Sequence, residues 1–145
     1  MHVLIVAGVG GSGEGHWQTW LEQQLAQLDP KRVSRVQQDW QRPVFALWRD
    51  RVIEAIAALE DRVLLVAHSF GCLVSAGVLL KAPELADKIA GVLMVAPANP
   101  QRFSLSGEQG FCQYGEEHLV DTLNHPMPPQ VPIMLWASHN DPWLS

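Results

Sequence analysis

The stretch VLLVAHSFGCLVSA, Val63 to Ala76, decides the fold. An apolar run stops at a serine, a glycine follows two residues later, and a second apolar run begins. The first run is short and rich in branched residues, as a strand buried on both faces would be. The second, over 71–80, is apolar all round, the pattern of a helix covered on most sides. Ser69 stands at the junction. Ala67 and Gly71, two residues on either side, are small enough to let strand and helix approach each other. This is the setting of a nucleophile elbow, in which a strained backbone lifts a serine hydroxyl above a parallel sheet. The common pattern is G-x-S-x-G, and Ala67 departs from it while still fitting sterically. The competing reading is an ordinary serine cap at a helix start.

Outward from this stretch, apolar runs alternate with amphipathic patterns. HVLIVA (2–7) predicts a first buried strand. Trp17, Trp20, Leu21, Leu25 and Leu28 recur at helical spacing, and Asp29-Pro30 ends that helix. RVSRVQQ (32–38) predicts a weaker, half-polar strand. Val44, Leu47, Trp48, Val52, Ala55, Ile56 and Leu59 mark a second helix. RVLLVA (62–67), IAGVLMVAPA (89–98) and VPIMLWAS (131–138) predict three further strands. Strands alternating with helices imply a parallel sheet in a single α/β domain spanning 1–145. The segment 97–130 interrupts the rhythm. It holds half the prolines, shows no long periodicity beyond one short helical pattern in GEEHLVDTL, and reads as an irregular cap or lid.

Composition narrows the function. The chain has 145 residues and a net charge of −5, with ten scattered Lys and Arg, so nucleic acid and anionic membrane are not expected partners. No apolar run approaches the roughly 20 residues that span a bilayer. MHVLIVAG lacks the basic start and small-residue cleavage site of a secretory signal. Cys72 and Cys112 make no disulfide framework. The cytoplasm is the expected location, and a small acyl compound is the expected partner.

Two further motifs carry chemistry. AGVGGSGEGHW (7–17) follows the first strand. Gly8 to Gly13 fits the start of a phosphate loop, but Glu14 and Gly15 stand where that loop needs a lysine and a hydroxyl. The dinucleotide pattern also fits formally, yet no suitably spaced acid follows a strong second strand. The loop reads better as one wall of an oxyanion hole. Acyl transfer places negative charge on a carbonyl oxygen, and two backbone N–H groups would receive it. One belongs to Phe70, the residue after Ser69, and the other to Val9 in the loop after the first strand. His16 and Trp17, at the start of the first helix, are candidates for the substrate pocket. The second motif is ASHNDPWLS. Asp141 follows the last strand at the carboxyl edge of the sheet, where an acid would orient a histidine. An Asx-Pro turn is the plain alternative.

The base is harder to find. In this fold the order is serine, acid, histidine, and no histidine follows Asp141. His139 is too close to the acid to bridge it to Ser69. His68 is adjacent to Ser69 and reads as a packing residue turned away from it. His118 and His125 fall in the irregular segment, and His2 begins the first strand. Cys72 reads as a small core residue. No histidine or cysteine spacing suggests a metal, and no cofactor is expected.

VLIVAGVGGSGEGHWQTWLE, VAHSFGC and VPIMLWASHNDPW together resemble the small serine hydrolases of the retinoblastoma-binding protein 9 and YdeN type, within the α/β-hydrolase superfamily. The resemblance runs along essentially the whole chain. It implies Ser69 as nucleophile and Asp141 as triad acid. It also implies a base in a Gly-His motif beyond position 145, so that this chain would lack the last strand and helix of a three-layer α/β-hydrolase-like sheet. The function expected is cleavage of a carboxylic ester, thioester or activated amide. The contrasting expectation is an inactive scaffold that binds or regulates.

Overall fold

A computed structural model describes residues 1–103 and 119–139. Five strands, β1 (His2–Val6), β2 (Val33–Arg35), β3 (Val63–His68), β4 (Ile89–Val95) and β5 (Ile133–Trp136), form one sheet in the order β2-β1-β3-β4-β5. Every pairing is parallel. The helices are α1 (Trp17–Leu28), α2 (Phe45–Ala58), α3 (Phe70–Lys81) and the short α4 (Leu119–Leu123), with 3₁₀ turns at Pro30–Arg32, Pro83–Lys88 and Pro100–Phe103.

Alternation along the strands sorts side chains into two cores. Leu4, Val6, Val63, Leu65 and Ala67 face α2 and α3, joining Phe45, Trp48, Val52, Ile56, Val74 and Val78 in the larger core. Ile5, Val33 and Val66 face the other way, where Trp17, Leu21 and Leu25 of α1 cover them. The result is the expected three-layer α/β arrangement. Helix α3 sits deepest, and every residue from Phe70 to Leu79 is buried. That explains why its sequence has no polar face.

Three expectations need adjustment. The second strand is only Val33–Arg35, half the length of its apolar-polar pattern. Along α1, Trp20 and Leu28 are exposed, at 61% and 84%. The seam of this helix runs through Trp17, Leu21, Leu25 and Ala26, and its one buried residue is Gln18. The fifth strand was expected to be buried, yet Ile133, Met134, Leu135 and Trp136 are all exposed. Among the described residues it is the last strand of the sheet and pairs with β4. Within 97–130, the 3₁₀ turn and α4 are the ordered elements described; residues 104–118 lie outside the described set.

Candidate active site

The strand order reverses direction between β1 and β3, and the loops leaving their carboxyl ends therefore diverge around a crevice, the usual place for a site in an open parallel sheet. Ser69 leaves β3 there. Its φ is +53° and its ψ −120°, a backbone conformation that residues with a Cβ rarely adopt. Neighbours hold it in place. Ser69 N–H donates to the Val95 carbonyl at 3.1 Å, and the Ser69 carbonyl accepts from Cys72 N–H at 3.0 Å and from Ala98 N–H at 3.2 Å. The serine is therefore strained and pinned by β4, by the segment after it and by its own helix. The expected elbow is present.

The small residues around the elbow have a steric reason. A Cβ on Gly71 would overlap the carbonyl oxygens of Val6 and Ala7, so only glycine lets α3 start this close to β1. A Cβ on Gly8 would come within 3.1 Å of both the His68 carbonyl and Ser69 Cβ. The glycine loop after β1 thus lies directly against the serine.

Ser69 opens into a cavity of about 430 Å³, lined among others by Val9, Ser12, His16, His68, Arg102 and Phe103. Val9 from the first loop and Ser69 from the second share this wall. Phe70 is fully buried at the first position of α3, where a backbone N–H has no partner within its own helix. Its ring stacks on Phe103 at 4.2 Å between centroids, which ties the segment after β4 to the elbow.

His16 lies in this cavity and is the N-cap of α1. Its Nδ1 accepts the Gln18 N–H at 3.1 Å. In the neutral ring that bond leaves the proton on Nε2, so the imidazole presents a donor to the cavity. Partial burial, and secondarily the positive charge of Arg35, lower its pKa from 6.5. His68 packs edge-on against His16, with centroids 4.6 Å apart, and against Trp17 at 6.0 Å. His68 was expected to turn away from the serine; it packs as expected but also lines the cavity. Trp17 stands behind the two histidines, against the α1-side core, and does not line the cavity.

Asp141 lies outside the described residues. Strand β5, which leads to it, runs parallel to β4 with Trp136 opposite Val95, and Val95 is opposite His68. The carboxyl end of β5 is therefore at the same sheet edge as the elbow. Among the remaining histidines, His2 is hydrogen-bonded to Ser34 at 2.7 Å, and His125 and His139 are exposed. Cys72 is buried, and burial pushes its thiol up to about 12, in keeping with a core role. Among the described residues no three His, Cys, Asp or Glu side chains group as a metal site would need.

Periodicity overlooked a polar cluster behind the glycine loop: Ser12, Gln18 and Arg35. Gln18 is fully buried, and its amide reaches three elements. The only trace in the sequence is a glutamine directly after His16-Trp17, on the face opposite to solvent.

A strained serine between a parallel strand and a buried helix, facing a glycine loop, is the arrangement of an α/β-hydrolase-type serine hydrolase. The chain belongs to the serine hydrolase family, whose model matches residues 3–145. Its fold is similar to a YdeN-like hydrolase from Pectobacterium atrosepticum, with 28% identity and a TM-score of 0.74 over 99% of this chain and 66% of that one. It is also similar in fold to the ydeN gene product of B. subtilis, with 19% identity and a TM-score of 0.65 over 99% of this chain and 74% of that one. A metagenomic carboxyl esterase has 19% identity and a TM-score of 0.63, over 94% of this chain and 49% of that one. No curated protein matches the chain in sequence. Among the described residues no helix is long and apolar enough to cross a membrane.

Proposed function

We propose that this chain carries the nucleophile and oxyanion hole of a serine hydrolase that cleaves a carboxylic ester, thioester or activated amide through an acyl-serine intermediate. The observation that carries the reading is the left-handed backbone of Ser69, held against a glycine loop at the mouth of a cavity. Ser69 Oγ gives its proton to the base and attacks the acyl carbon, and the N–H groups of Val9 and Phe70 take the charge that develops on the carbonyl oxygen. The bond to the alcohol, thiol or amine breaks as that group leaves with the proton, and water then attacks the acyl-serine, frees the acid and restores the Ser69 hydroxyl. Asp141 is the triad acid. His16 serves the pocket as a hydrogen-bond donor, since its Nδ1 is already engaged by Gln18 N–H. The substrate is a small acyl compound met in the cytoplasm, and no cofactor takes part.

The base is assigned to a histidine outside residues 1–145. His16 Nδ1 and His2 Nε2 are each committed to another bond, His68 packs edge-on against His16 and Trp17, and His125 and His139 face solvent, while His118 lies outside the described residues. A serine hydroxyl is a weak nucleophile until a base takes its proton, so 1–145 alone should turn over slowly. The same gap supports a second reading, an inactive scaffold that binds rather than cleaves. A fluorophosphonate and free imidazole separate the two. On the hydrolase reading the phosphonate labels Ser69, found by peptide mass, and imidazole raises p-nitrophenyl acetate hydrolysis above the rate it gives without protein in wild type but not in Ser69→Ala. Absence of both effects would leave the scaffold reading.

A further inference from the structure

The loop between β1 and α1 is fastened far more heavily than a surface connection needs. Gly11 N–H closes a turn onto the Gly8 carbonyl at 3.0 Å, and Gly10 N–H reaches the Trp40 carbonyl at 2.9 Å. Ser12 follows with φ +56°, buried and in the left-handed region, where a serine is strained. Its hydroxyl donates to Gln18 Oε1, and its carbonyl accepts from Thr19 Oγ1 and from Arg35 Nη1.

Arg35 arrives from the end of β2. The same Nη1 also donates to the Gly11 carbonyl, and Nη2 donates to Thr19 Oγ1 at 2.9 Å. Glu22 fixes the guanidinium from the other side, with Oε2 at 2.7 Å from Nη2 and 2.9 Å from Nε. Gln18 works from within. Its Nε2 donates to the Val6 carbonyl at 3.3 Å and to the Val66 carbonyl at 3.1 Å. Two carbonyls on one side and a hydroxyl on the other determine which way that amide points. Val6 and Val66 belong to the two strands that launch Val9 and Ser69. One buried side chain therefore spans the base of the oxyanion loop, the strand of the nucleophile and the strained serine at the loop's tip.

We propose that Ser12, Gln18 and Arg35 are positioning residues, which together hold the glycine loop over Ser69 so that the N–H groups of Val9 and Phe70 converge on one oxygen. The inference rests on the hydrolase reading of the same site. Rate is sensitive to such placement: removing one oxyanion donor costs about 10²–10³ in rate, and a misplacement near 1 Å costs about 10².

The test measures inactivation of the 1–145 chain by a fluorophosphonate, resolved into an apparent binding constant and a maximal inactivation rate. Three variants are compared with wild type. Ser12→Gly tolerates the left-handed backbone and loses only the hydroxyl. Gln18→Met keeps the volume and loses the amide. Arg35→Lys keeps the charge and loses the planar guanidinium that bonds two carbonyls, Thr19 and Glu22 at once. A core variant far from the loop, Ile56→Ala, supplies a control for general loss of stability. The expected result is a fall of roughly 10–100-fold in the maximal inactivation rate, with the binding constant little changed. Ile56→Ala should show no such fall at a comparable melting temperature. If Gln18→Met does not fold, Ser12→Gly and Arg35→Lys decide the matter. Wild-type inactivation rates in those variants, or losses that follow melting temperature as in Ile56→Ala, would overturn the positioning role alone. Imidazole is present throughout to stand in for the base, and a wild-type chain that shows no Ser69-dependent labelling even then would remove the hydrolase reading and this inference with it.

Discussion

Replacing Ser69 with glycine should make the protein more stable than replacing it with alanine, though both lose the nucleophile. Ser69 sits at φ +53° and ψ −120°. Alanine retains the Cβ and the strain, whereas glycine retains neither. A residue held in so sparse a backbone region costs about 1–3 kcal/mol, so about 2 kcal/mol is a central value. Glycine gives back about 0.7 kcal/mol through the greater freedom of its unfolded chain. The half-buried methyl removed in going from alanine to glycine costs about 0.4 kcal/mol more. The net gain is about 1 kcal/mol, or roughly 3 °C in melting temperature for a chain of this length. Thermal and urea denaturation of the two variants measure it, and neither depends on activity or on a base. If Ser69→Gly is no more stable than Ser69→Ala, the elbow is not strained as described, and the argument that its geometry is maintained for chemistry fails.

Gly71→Ala should destabilise the fold at the upper end of the ~1–3 kcal/mol range for overpacking, because its Cβ meets rigid backbone oxygens of Val6 and Ala7; urea midpoints check this. Cys72 should resist alkylation by iodoacetamide at pH 8 in the folded protein and react after denaturation, since burial raises its thiol to about 12; intact mass reads the difference. His16 should titrate below 6.5 in an NMR pH series, because of partial burial and secondarily the Arg35 charge, and Arg35→Gln should raise its midpoint by removing that charge. Because the folded value of His16 lies below 6.5, the unfolded chain binds the proton more readily. The stability linked to this group is whole above 6.5 and is lost as pH falls through the folded value.

The order of elements was legible because buried strands and covered helices have different periods, and the elbow because its apolar run breaks at a serine flanked by small residues. Burial at the margins was less legible. Strand β5 has the composition of a core strand, but exposure depends on what lies beside it, and among the described residues its outer side has no partner strand. The glycine loop was recognised by composition, while its fastening was not. Apolar periodicity passes over Gln18, whose partners come from β1, β3 and the loop, because their convergence exists only once the chain has folded. Ser12 escaped for a related reason: nothing in a serine announces a positive φ. Asp141 was read from its place after the fifth strand and lies outside the described residues.

The grip of Arg35 on the Gly11 and Ser12 carbonyls also gives the loop an electrical direction. Neither peptide is cis, so each N–H points opposite to its carbonyl. The amide hydrogens of Ser12 and Gly13 therefore lie away from Arg35, and both residues line the Ser69 cavity. Each peptide dipole is about 3.5 D, and two of them side by side present a small positive field within a chain of net charge −5. The two fields differ in reach. The overall negative charge acts out to roughly the 8–10 Å screening length, whereas paired dipoles decay within a few atoms. For an anionic ligand, added salt would thus weaken the long-range repulsion and leave the short-range attraction nearly intact, so that its association would quicken as ionic strength rises.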